Sequence, residues 1–168
     1  MRTLLPSLQP QLLHPQVKLQ WKKYADIPVG MARPQAVLVR EKVYVGGGIC
    51  GGADKYLVFQ YNPFRDEWSR LSPHSLRCFA MAHFKENLVT VGGKTNFDIV
   101  GKVYRFKEES QKWEEFLKPM PTTRFWLSVA ATQSAIIASG GSIGNRFRDG
   151  KSVPCTTVEQ QNISVVHC

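Results

Sequence analysis

Cysteine is scarce in this sequence and is never paired. The four cysteines stand at 50, 78, 155 and 168, and none lies in a Cys-x-x-Cys spacing. Zinc sites are built on such paired ligands, so no metal site is expected. Long apolar runs are also missing, which excludes a membrane-spanning helix. The amino terminus carries one positive charge and several leucines. Pro6, Pro10 and Pro15 break that run, and no small-residue cleavage site follows it. Residues 1–16 therefore read as a disordered lead-in, and the cysteines as reduced thiols of a cytoplasmic protein. Acidic residues are the rarer charge, with 13 against 22 basic ones and a net charge of +9. That balance suits acidic partners, nucleic acid among them. No five basic residues run together, however, and the densest stretch is Arg146 to Lys151. Helix-period patterning of useful length is absent as well, which leaves strands.

What is present is a repeat. Trp21, Trp68 and Trp113 are spaced by 47 and 45 residues. The glycine pairs Gly47-Gly48, Gly92-Gly93 and Gly140-Gly141 recur at 45 and 48. Arg33, Arg77 and Arg124 recur at 44 and 47. An aromatic stands seven residues before tryptophan twice, as Tyr61 before Trp68 and Phe106 before Trp113. Within each unit, short β-branched and aromatic runs alternate with polar turns such as Asn62-Pro63-Phe64-Arg65-Asp66. Four strands fit each unit, and the glycine pair ends the second. A period near ~45–50 residues with strands inside each unit marks a propeller blade.

The glycine pairs, the aromatic seven residues before tryptophan and the Met-x-Arg or Met-Pro-x-x-Arg connections resemble kelch repeats over residues 17–160. The resemblance implies an all-β fold, a partial kelch β-propeller. Two complete four-stranded blades are expected at 33–71 and 77–116. Residues 17–21 would be the last strand of a preceding blade, and 124–168 an incomplete third blade. In that third unit Gln161 takes the place of Tyr61, and Cys168 that of tryptophan. Closed propellers use typically ~4–8 blades, so the chain reads as a fragment or truncated form of a larger propeller.

The family's usual role is to bind another protein, which implies an interaction module with no enzymatic chemistry and no cofactor. The connections into each first strand and the loops after the glycine pairs should share one face. On it Arg33, Arg77 and Arg124 would form a cationic mouth, joined by Arg146 and Arg148 from the long loop 142–154. Guanidinium forks suit carboxylates, so an acidic peptide is the partner that the resemblance suggests. Open blade faces also invite self-association. Trp21, Trp68, Trp113, Tyr61, Phe106 and the glycine pairs read as structural. Two other classes stay open: a propeller enzyme of the copper-oxidase or sugar-processing type, and a nucleic-acid surface. The four histidines share no repeat position, and no carboxylate pair is placed for acid–base work. Gly92-Gly93-Lys94-Thr95 is no phosphate loop, because Leu88 stands where its first glycine must be.

Overall fold

A computed structural model describes residues 20–50, 56–144 and 153–162, which form strands and no helix. The first sheet contains β2 (Gln35–Val39), β3 (Lys42–Gly46), β5 (Val58–Asn62) and β6 (Glu67–Arg70), paired antiparallel in that order. The second contains β7 (Ala80–Phe84), β8 (Asn87–Val91), β9 (Val103–Lys107) and β10 (Lys112–Leu117) in the same meander. The third contains β11 (Ser128–Ala131), β12 (Ala135–Ser139) and β13 (Val158–Asn162). The fold is all-β, two four-stranded blades followed by a three-stranded sheet. A two-residue pair, β1 (Met31–Ala32) with β4 (Ile49–Cys50), was not foreseen in what read as a plain connection.

Pairing registers tie the units together. Gln35 opposes Gly46, Ala80 opposes Val91, and Ser128 opposes Ser139. Each first strand thus starts opposite the residue before a glycine pair. The second glycine explains the extra pair. A Cβ on Gly48, Gly93 or Gly141 would stand 2.7, 2.8 or 2.7 Å from the carbonyl oxygen of Ala32, Arg77 or Phe125. Only glycine lets the incoming connection pass that closely. In the later units the same contact appears as the bridges Arg77 with Lys94 and Phe125 with Ser142.

Two apolar seams join the sheets. Val39, Tyr44 and Val58 of the first sheet meet Met81, Leu88 and Phe106 of the second. Val89, Val91 and Val103 of the second meet Leu127, Ile136 and Ala138 at the third. Residues alternate along each strand, so the two faces of the second sheet serve the two seams.

The expected strand at 17–21 is not formed by its described part. Gln20 and Trp21 lie in no strand, and Trp21 is fully exposed. Its neighbours follow the rim of the first sheet instead: Ala25 donates its N–H to Asp66 Oδ1 (2.7 Å), and its carbonyl accepts from Trp68 Nε1 (2.9 Å). A strand needs a partner for its backbone groups, and this connection spends them on side chains. The lead-in 1–16, and Arg146, Arg148 and Cys168, lie outside the described residues.

Candidate functional site

The three arginine markers do not occupy one position. Their spacings, 44 and 47, fall one short of the glycine spacings, 45 and 48. Each arginine therefore sits one residue earlier in its unit than the one before. Arg33, Cys78 and Trp126 are the true equivalents, and all three hold positive φ, at 54°, 57° and 54°. Arg77 matches Ala32, and Arg124 matches Leu76. In extended backbone, one residue of slip turns a side chain to the opposite side. The arginines consequently meet three different environments. Arg33 is exposed, Arg77 is half-buried, and Arg124 is fully buried.

Arg124 does not join a mouth. Its Nη1 donates to Thr157 O (2.8 Å) and Cys155 Sγ (3.3 Å). Its Nη2 donates to Ala138 O (3.1 Å) and pairs with Glu159 Oε2 (3.1 Å). The other oxygen of Glu159 accepts the N–H of Thr122 at 3.1 Å. This fork anchors β13 to the rest of the third sheet. Hydrogen bonding with Thr157, helped by Arg124, holds the Cys155 thiol below its usual range.

Arg33 and Lys94 converge on aromatics that the sequence did not single out, and Arg77 adjoins them through its backbone. The Arg33 guanidinium lies 4.8 Å from the centre of the Trp126 ring. Lys94 Nζ lies 4.4 Å from the Phe125 ring and 5.7 Å from Trp126. Arg77 and Lys94 exchange both backbone hydrogen bonds, at 3.0 and 2.9 Å, and the Arg77 Nε is buried without a hydrogen-bond partner among the described residues. Burial pulls the Lys94 ammonium below its usual range, and the Arg77 charge adds to the effect. Burial pushes the Cys78 thiol up, against the pull of the same cations. The site thus draws Arg33 from the first unit, Arg77 and Lys94 from the second, and Phe125 and Trp126 from the third. Phe125 and Lys94 are buried, at 0% and 8% exposed, so what the cluster can offer a carboxylate is the exposed Arg33 fork over the half-buried Trp126 ring. The one-residue mismatch of spacings was the signal in the sequence that the three arginines are not equivalent positions.

No family model matches the chain. It is 29% identical to Kelch-like protein 23 of Mus musculus over 130 residues, which is 74% of this chain and 22% of that protein. It is 27% identical to Beta-scruin of Limulus polyphemus over 148 residues, 82% of this chain and 16% of that one. Identity to Kelch repeat and BTB domain-containing protein 1 of cowpox virus (strain Brighton Red) is 26% over 98 residues, or 55% of this chain and 17% of that protein. The chain is thus similar to kelch-repeat proteins over most of its length. It spans about a fifth or less of the length of these kelch relatives. Among the described residues, no group of three His, Cys, Asp or Glu side chains could hold a metal ion. No helix among them is long and apolar enough to cross a membrane.

The two described histidines, His74 and His83, do not touch this cluster. His74 is 2% exposed and fixed as the Nε2–H tautomer: Leu76 N–H donates to Nδ1 (2.9 Å), and Nε2 faces Thr90 Oγ1 (3.0 Å). Rings of Phe79, Tyr104 and Trp113 surround it at 4.5, 5.2 and 4.6 Å. Burial pulls this imidazole down to about 3, so it stays neutral and packs as an aromatic.

Proposed function

We propose that these kelch repeats form a protein-interaction module that takes an acidic segment of another protein on its loop-bearing end. The observation that carries this reading is the convergence of Arg33 and Lys94 on Phe125 and Trp126, with Arg77 paired to Lys94 through the backbone. Three units contribute to one patch, so the patch exists only when the sheets are stacked. Arginine over tryptophan is preorganised for a carboxylate, because the ring contact restricts a guanidinium that remains exposed. Kelch-named relatives of this chain are consistent with a binding role, without chemistry of its own. The chain would work in the cytoplasm as part of a longer propeller, where the free thiols of Cys78 and Cys155 stay reduced.

The test is calorimetric titration of an Asp/Glu-rich decapeptide at low and physiological salt. Binding should weaken as salt rises, since exposed charge pairs are screened. Arg33→Glu should weaken it at least tenfold, because a repulsive charge then faces the peptide. Equal binding by wild type and Arg33→Glu would overturn the reading, and so would no binding at about millimolar peptide.

A further inference from the structure

The two complete sheets treat their tryptophans alike. Trp68 stands opposite Tyr61 with ring centres 4.9 Å apart, and Trp113 opposite Phe106 at 5.1 Å. Each indole N–H donates to a carbonyl of the incoming connection, Ala25 or Ser72, at 2.9 or 3.1 Å. In the third sheet Gln161 opposes Ile136, as Tyr61 opposes Val43. Among the described residues, nothing pairs with the outer edge of β13. Beside it opens a cavity of about 340 Å³. Val91 and Val103 of the second sheet, Met120 of the connection, and Ile136, Ala138 and Gln161 of the third line it. Register places this cavity where the other two sheets seat their stacked aromatic and tryptophan.

At the opposite end of the array stands a tryptophan without a seat. Trp21 lies 47 residues before Trp68 and ends the alternating stretch Val17-Lys18-Leu19-Gln20-Trp21, which has the pattern of a fourth strand. Residues 17–19 lie outside the described residues, and Trp21 itself is fully exposed. Four residues later, Ala25 is tied to the first sheet through both its backbone groups. Four residues of chain reach at most ~14 Å. The second sheet stands between the first and the third, and two sheet spacings are about 20 Å. Trp21 therefore cannot enter the cavity of its own chain.

We infer that the cavity receives Trp21 of a second copy, with residues 17–21 of that copy adding to β13 as a fourth strand. The β13 edge, unpaired among the described residues, supplies backbone hydrogen bonds, and the cavity supplies the side-chain pocket, the two ingredients of strand addition. Donor and acceptor are different surfaces, so the contact is head-to-tail. It propagates from copy to copy until a ring closes or a chain of copies grows.

The experiment is light scattering on the full chain across a concentration series, with circular dichroism to confirm the fold of each variant. Wild type should exceed the 19.0 kDa monomer mass as concentration rises. Trp21→Ala removes only an exposed side chain, and it should weaken association roughly tenfold or more, the size of an interface anchor. Gln161→Phe restores the stacking partner seen in the other sheets. It should tighten association by about two- to tenfold. In the Trp21→Ala background that gain should vanish, because the two side chains act only on each other. Wild type that stays monomeric at all concentrations overturns the proposal. So does Trp21→Ala that associates like wild type, or a Gln161→Phe gain that survives without Trp21.

Discussion

The seam between the first and second sheets is aromatic, whereas the seam between the second and third is aliphatic with an arginine fork. In the first, His74 sits among Phe79, Tyr104 and Trp113, over Leu76 and Phe106. In the second, register puts Thr122 at the place of His74, Arg124 at that of Leu76 and Glu159 at that of Tyr104. One backbone plan is therefore closed by two chemistries. The outward faces differ too. Where the second sheet turns Ala80, Ala82, Phe84 and Val91 into the next seam, the third turns Ser128, Ala130, Thr132 and Ser139 outward, and the first three of these are exposed. A repeat whose outer face is polar can meet water without a neighbour. Sheet-on-sheet packing in this fold thus depends less on one residue set than on filling each equivalent place, with rings or with a hydrogen-bonded ion pair.

Breaking the fork should have the largest effect. Arg124→Leu copies the second sheet's residue but leaves the Glu159 carboxylate, 17% exposed, without its partner. The cost should be on the order of 3–5 kcal/mol, as when one member of a buried pair is removed. Arg124→Leu with Glu159→Tyr imports the Leu76 and Tyr104 places of the aromatic seam and should recover at least half of that loss. Urea midpoints of the three proteins decide it. If the double variant is no more stable than the single one, the two seams are not interchangeable solutions.

The aromatic seam carries a pH signature that the other lacks at the equivalent place. His74 is pulled down to about 3 in the folded chain, against about 6.5 when unfolded. Below pH 6.5 the unfolded chain binds a proton that the folded chain refuses. Stability is thus full above that pH and drains away as pH falls towards 3. Between pH 7 and 5 the loss should be about 2 kcal/mol, from one group and 1.4 kcal/mol per pH unit. His74→Leu should flatten the pH dependence by that amount, while lowering stability at pH 7 through the orphaned Thr90 and Leu76 groups. An unchanged slope in urea melts at the two pH values would mean that His74 accepts its proton while folded.

Much of the plan was legible in the sequence because the repeat marks are backbone demands. Glycine pairs sit where a connection passes within van der Waals distance, and the aromatic seven residues before tryptophan is a cross-strand pair, Tyr61 with Trp68 and Phe106 with Trp113. Those constraints act through spacing, so spacing revealed them. The site was less legible. Burial of a polar side chain depends on what lies across a seam, which spacing does not encode. Arg124 therefore looked like its namesakes, His74 looked idle, and Lys94 and Trp126 carried no mark. Trp21 shows the same limit from the other side, since it keeps the repeat's interval without a sheet of its own to fill.

The smallest stability effect separates the two remaining arginine roles. Arg33 is exposed and contributes one cation–ring contact, at 4.8 Å from Trp126. Its truncation to alanine should cost at most about 0.5–1 kcal/mol, the range of such contacts near solvent. The same substitution should weaken the acidic decapeptide several-fold, because the fork that faces the carboxylate is gone. Arg124→Leu should reverse that pattern in a chain kept folded at low temperature, with a large loss of stability and peptide affinity little changed. Affinity that follows Arg124 rather than Arg33 would move the binding surface off the Trp126 cluster. Affinity that follows Arg33 alone would establish that arginines sharing one interval can divide cleanly into a binder and a strut.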